Sequence, residues 1–254
     1  MLYSRDDTGL VISTVESDLS AQGIDFTKPG YRRGWRLMTS VAGEMDVEVT
    51  GTDITHWVMN FGMMRAIDEL VDNHDITDVT EPLHLVISGQ AIEGVTAQEA
   101  SVFAELVAGY GEEQKEDVLE GYLTLPSFAD KRLSAVSVSE LMGVNIAESA
   151  SFARILKIDP KLEPNIFSQL AARNRFNRWV EQFSRAGYLA DSCFDLRKDY
   201  LAGNVAIPPS LGTRSVMFSR AVAEVIRATR GTPIRTMGTL ALTAFKMNAF
   251  ERAS

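Results

Sequence analysis

Arginines at helical spacing are the residues whose types and positions point most directly to chemistry. Arg175, Arg178, Gln182 and Arg185 fall on one polar face of a segment. Its other face carries Phe176, Trp179, Val180 and Phe183 at i, i+3, i+4 and i+7. Further along, Arg220, Arg227 and Arg230 share a face, while Met217, Ala221 and Val225 share another. Between 214 and 235 there are five arginines, one glutamate and no lysine. Guanidiniums one helical turn apart match successive phosphates of a single strand. Arginine, unlike lysine, makes fork-shaped phosphate contacts and stacks on bases. Solvated arginines on ordinary amphipathic helices, or ion pairs with acidic parts of the chain, give the same pattern.

Other chemistries find less support. The three histidines, His56, His74 and His84, stand in no zinc-ligand spacing. There is no Gly-rich phosphate loop, dinucleotide fingerprint or nucleophile elbow. The acidic residues of the first half are scattered and read as a solvated face. A carboxylate site assembled in three dimensions stays open, but no pattern points to one. No catalytic residue, metal site, cofactor or small-molecule substrate is expected, and the chain reads as a non-enzyme.

The charge distribution supports a polyanion partner. The net charge is −9, yet residues 1–130 hold 7 Lys/Arg against 24 Asp/Glu, and residues 131–254 hold 18 against 10. Such asymmetry fits a nucleic acid, a charged partner, the two halves facing each other, or head-to-tail self-association. The one cysteine, Cys193, excludes an internal disulfide. The first residues lack a basic region followed by an apolar run, so no signal peptide is expected. No apolar stretch approaches the roughly 20 residues that span a bilayer, so an intracellular protein without a membrane partner is expected.

The elements that must position these arginines read as mainly α, a two-lobed helical bundle with a few short strands in the N-terminal half. Residues 1–15 read as an extended segment and 16–43 as turn-rich. Asp46–Val49 and Leu83–Ile87 read as short strands. From about Asp53, Ile54, Trp57, Val58, Phe61, Met64 and Ile67 recur at helical spacing. Thr96 and Glu99 form a capping box for a helix to about Gly109, and Glu112–Gly121 reads as a solvated acidic helix. Pro126 marks a boundary between an acidic lobe, 1–130, and a basic nucleic-acid-binding lobe, 131–254. Four helices are expected in the second lobe. They cover Ile146–Lys157, Asn165–Ala186 with Gly187 as its stop, Thr213–Arg230 with Thr213 as its cap, and the C-terminus. Ser139–Leu156 also fits a helix-turn-helix with Gly143 at the turn.

The end of the chain carries Arg214-Ser215-Val216-Met217-Phe218-Ser219, then Thr232-Pro233-Ile234-Arg235, and Ala249-Phe250-Glu251. Over about 207–251 this resembles the C-terminal core of coat proteins of flexible filamentous plant viruses, the potexvirus and potyvirus kind. The resemblance implies an all-helical core, a groove for the RNA backbone, and polymerisation through an N-terminal arm. It pairs Arg214 with Glu251, which stands where aspartate is usual.

The leading expectation is therefore a coat or nucleocapsid protein that polymerises on single-stranded RNA without reading sequence. Homo-oligomers would form a filament or ring, in the virion and the host cytoplasm. The expected RNA contacts are Arg175, Arg178, Arg214, Arg220, Arg227, Arg230, Arg235 and Glu251. The alternatives are a helix-turn-helix duplex-DNA regulator and an adaptor that binds an acidic protein surface.

Overall fold

The computed structural model describes residues 8–32, 34–74, 78–159 and 167–230. Eleven helical segments form there: α1 (Thr8–Ala21), α2 (Pro29–Arg32), α3 (Gly34–Glu44), α4 (Gly51–His74), α5 (Thr80–Ile87), α6 (Ala97–Ala108), α7 (Glu112–Thr124), α8 (Ser127–Ser134), α9 (Val138–Leu156), α10 (Phe167–Ala202) and α11 (Leu211–Thr229). The mainly helical class holds. The short strands do not form among the described residues, where a single bridge joins Ile92 to Val95.

Leu83–Ile87 lies in α5, which buries Leu83 and Val86, three residues apart rather than alternating. A short apolar run fits either element, and one-sided burial selects the helix. Asp46–Val49 has no ladder partner, and Asp46 sits at φ 59°. The described part of the expected extended N-terminus belongs to α1, which buries Val11, Val15 and Leu19 at i, i+4 and i+8. The turn-rich stretch holds α2 and α3, and α3 buries Trp35, Met38, Thr39, Val41 and Ala42.

Local signals hold where a side chain satisfies the backbone. Thr96 accepts from Glu99 N, and the Glu99 carboxylate accepts from Thr96 N, so the capping box forms. Ser137 caps α9, and Ser210 rather than Thr213 caps α11, taking the Thr213 amide. Two glycine expectations are corrected. Gly143 lies inside unbroken α9, and Gly187 lies inside α10. Leu141, Asn145 and Glu148 form one buried stripe across the first position, and Ala186 and Leu189 are buried on either side of the second. Continuous burial carries each helix through its glycine. The helix-turn-helix is thereby lost.

The central helix is α4, with Ile54, Trp57, Val58, Met59, Met63 and Ile67 nearly inaccessible. Tyr31 of α2 packs onto Gly62, leaving no room for a side chain there. Trp57 Nε1 donates to Leu156 O at 3.0 Å, and the Phe61 and Phe152 rings meet 6.1 Å apart. Rising residue number on α4 thus pairs with falling number on α9, so the two run antiparallel. Asn177 exchanges bonds of 2.8 and 3.1 Å with the Ile158 backbone, and Phe152 meets Tyr188 at 5.6 Å. α10 therefore also runs antiparallel to α9. The main apolar cluster extends from Val11 to Val180. A second, built on Leu141, Cys193, Leu196, Val205, Ile207 and Met217, seats α11 against α9 and α10.

Buried polar groups fix the centre. Arg173 donates to Asp53 Oδ2 at 3.0 Å and to Asp159 O at 2.9 Å, and Asp53 also accepts from Thr50 N at 2.9 Å. His56 Nδ1 lies 2.7 Å from Tyr110 Oη, and Tyr122 Oη donates to Asn60 Oδ1 at 2.9 Å. Burial pushes the His56 pKa down to about 4, with Asp53 opposing, so His56 is neutral near pH 7. No helix among the described residues is long and apolar enough to cross a membrane.

Candidate functional site

The arginines do not form one face. Arg175 and Arg178 are exposed on α10. Arg220 and Arg227 share a flank of α11, and both reach the buried Glu224, Arg220 at 3.2 Å and Arg227 at 2.5 Å. At about 100° per residue, Arg214 stands roughly 120° around the helix from them. It is half-buried in the first turn, where its carbonyl accepts Cys193 Sγ at 3.4 Å. Arg230 is exposed at the C-cap. Arg235 and Glu251 lie outside the described residues, and so does the Arg214–Glu251 pairing. A further flank of α11 exposes Leu211, Phe218, Val222 and Val225.

Convergence occurs instead among carboxylates. Asp191, Asp195 and Asp199 recur every four residues on α10, and Asp68 lies on α4. Glu148 of α9 lies between these two helices. Burial raises its pKa most; Arg132 of α8 opposes this from 2.7 Å, and Asp68 and Asp191 raise it further. The Tyr188 hydroxyl is pushed above its usual range by burial, then by Glu148 and Asp68. Asp199 is raised by burial and then by Asp195, with Lys198 and Arg132 opposing. Four helices thus share one electrostatic neighbourhood. Its rim is wet, since the Asp68 side chain is 63% exposed and Glu148 only 11%.

A row of rings lies one level below the acids. Phe61, Phe152 and Tyr188 touch edge to face and are all half-buried. On α4, ring and acid are Phe61 and Asp68. On α9 they are Phe152 and Glu148, and on α10 Tyr188 and Asp191. The intervals are seven, four and three residues, all of which keep a helix face. Because α9 runs opposite to its neighbours, its acid precedes its ring while theirs follow, so all three acids lie on the same side of the ring row, at rises of about 10.5, 6 and 4.5 Å from it on α4, α9 and α10.

Asn145 lies one turn beyond Glu148 on the buried stripe of α9. It is inaccessible to solvent, and neither its Oδ1 nor its Nδ2 has a partner. Leaving both atoms unsatisfied costs about 1–3 kcal/mol each. The antiparallel register places it level with Asp195. Sequence reasoning passed over this site although the four-residue acidic spacings were present, because they lie on segments far apart in the chain.

Among the described residues no group of three or more His, Cys, Asp or Glu could hold a metal ion. A separate cavity of about 470 Å³ lies against α2 and α4, lined by Lys28, Tyr31, Arg65 and Glu69 among others. Its cations are already engaged, Lys28 with Glu99 and Arg65 with Glu69.

No protein family, curated protein or solved structure matches this chain.

Proposed function

We propose that the chain binds a diphosphate ester of an apolar chain, with a prenyl diphosphate as the substrate class, and catalyses metal-assisted loss of the diphosphate. The observation that carries this reading is the edge-to-face row of Phe61, Phe152 and Tyr188 across α4, α9 and α10, with carboxylates on one side of it and the unpartnered Asn145 one turn from Glu148. An anionic substrate beside these carboxylates would need divalent cations between it and them. Asp68 on one side, and Asp191 and Asp195 on the other, are the residues that would hold those cations. The carbon–oxygen bond to the diphosphate would break with the electron pair leaving on the diphosphate, whose charge bound cations would offset. Phe61, Phe152 and Tyr188 would be the rings nearest the carbocation left behind, and aromatic faces attract a cation. It is discharged by losing a proton or by attack of a second alkene.

The test is magnesium-dependent binding of inorganic pyrophosphate by calorimetry, with pyrophosphate release from farnesyl diphosphate. Asp191→Asn should weaken magnesium-dependent binding about 100-fold, roughly 2.7 kcal/mol, with an unchanged melting temperature. A wild-type chain that binds pyrophosphate equally with and without magnesium, and releases none, would sink the proposal.

A second reading, a coat protein on single-stranded RNA, is favoured by the exposure of Arg175, Arg178 and Arg230. It requires RNA binding that falls steeply with salt, ignores sequence and weakens in Arg175→Ala/Arg178→Ala.

A further inference from the structure

We propose that the outer face of α11 docks on the surface of an anionic lipid bilayer, with its apolar side chains in the headgroup boundary and its arginines on lipid phosphates. The proposal is independent of the carboxylate site.

One side of α11 is seated in the fold, where Met217, Ala221, Glu224 and Ala228 are buried. At about 100° per residue these four span roughly 60° of the helix. From Val225 round the far side to Val216, about half of the circumference, residues 211–226 include no charged side chain. Leu211 is 86% exposed there, Val216 and Phe218 are each 51% exposed, and Val222 and Val225 are exposed too. Leu211 to Val225 covers about 21 Å along the axis. A helix that faces water turns charged and polar side chains outward. This one turns out aliphatic side chains and a phenyl ring, with glycine, alanine and serine between them. Contiguous exposed apolar surface of this kind marks an interaction site.

Charge says what covers it. Arg214 borders the apolar face on one edge, and Arg220 and Arg227 border it on the other. With Arg230 at the C-cap, the helix carries four arginines and one acid, the buried Glu224. Arg220 reaches Glu224 through Nη2 and Arg227 through Nη1, yet their side chains stay 44% and 51% exposed, so both keep donors for a phosphate oxygen. An apolar face with basic edges suits a helix that lies in a membrane surface. Its apolar side sinks about 5–10 Å, and its arginines meet anionic headgroups. Such a helix needs no membrane-crossing length, and none is present among the described residues. A second copy fits worse. Both edges are basic, so two such faces laid together would set arginine beside arginine, with the one acid already engaged. The face also lacks tryptophan and tyrosine, which anchor protein partners, and is built from leucine, valine and serine, which seldom do.

Co-sedimentation of the full chain with phosphatidylcholine vesicles, with and without phosphatidylserine, tests this. Wild type should bind the phosphatidylserine vesicles at least about tenfold more tightly than the neutral ones, and lose that affinity as salt rises. Phe218→Ser/Val222→Ser should weaken binding by about tenfold or more at an unchanged melting temperature. Arg227→Gln, which leaves Arg220 on Glu224, should weaken it about fivefold. Phe218→Trp reports insertion directly. Bromine-labelled acyl chains should quench its fluorescence, whereas Trp35, Trp57 and Trp179 are buried and should keep theirs. Wild type that binds neither vesicle, a serine variant that binds like wild type, or an unquenched Phe218→Trp overturns the proposal. So does a wild-type dimer that the serine variant abolishes, which would make the cover another copy. Magnesium-dependent pyrophosphate binding should be the same in wild type and the serine variant, so this proposal and the site reading can fail separately.

Discussion

The meeting faces of α4, α9 and α10 and the outer surface of α11 both set charges beside apolar side chains, with different outcomes. In the centre each helix contributes one ring and one acid, and antiparallel packing sets the rings in a row with all three acids on one side of it. On α11 the charges follow one helix. Arg220 and Arg227 turn to Glu224 on their own helix, Arg214 stands on another flank, and Leu211, Phe218, Val222 and Val225 face outward. Periodicity along one helix makes a face. Convergence from several makes a site, because only then do like charges crowd and need something between them.

The largest expected effect tests the same distinction between two arginines of α10. Arg173 reaches across to Asp53 at the start of α4, and both side chains are about 95% buried. Arg175, two residues on, is exposed. Arg173→Ala strands Asp53 without its partner and should cost about 3–5 kcal/mol. Arg175→Ala should stay within about 0.5 kcal/mol. Urea unfolding of both variants decides. Equal losses would mean that the buried pair does not tie the helices together.

Next is a titration in the N-terminal half. The folded pKa of His56 lies at about 4, below its ordinary value of 6.5. Between these values the unfolded chain takes up the proton and the folded chain does not. Stability should therefore be fully present above pH 6.5 and fall as pH drops toward 4, by roughly 3 kcal/mol from this group. Melting temperatures followed across that window, for wild type and His56→Asn, isolate the contribution. A wild-type slope no steeper than that of the variant would show that His56 is not held neutral by burial. The Asp191→Asn variant should follow the wild-type slope, since it alters the rim and leaves the His56 network intact.

Legibility in the sequence follows the same division between local and convergent. The capping box at Thr96 and Glu99 was readable because its partners are three residues apart. The stripe of α4 was readable from helical spacing alone. Even the neutralising of Arg220 and Arg227 is local, with Glu224 four residues after one and three before the other. Gly143 and Gly187 misled because a glycine stops a helix only where burial does not continue past it. Leu83–Ile87 misled because a short apolar run carries no period. The carboxylate site was written as four-residue intervals, but nothing along the chain says that Asp68, Glu148 and Asp191 meet. That follows from α9 running against both neighbours, which the Trp57–Leu156 and Asn177–Ile158 contacts set.

The smallest expected effect sharpens the contrast from the α11 side. Phe218 is half exposed on the outer flank, next to Val222 and one turn further from Val225. Replacing it with serine removes an apolar ring that water already reaches, and helix propensity changes little between the two residues. Phe218→Ser should therefore shift the urea midpoint by no more than about 0.5 kcal/mol. It should leave magnesium-dependent pyrophosphate binding unchanged, because α11 contributes no group to the carboxylate neighbourhood. A loss of about 2 kcal/mol or more would show that this flank is covered in solution. Dependence of that loss on protein concentration would identify the cover as another copy, since only a bimolecular contact dilutes away. The arginine flank would then be set by assembly, and α11 would become a site made by convergence like the centre, with the converging element supplied by a second molecule.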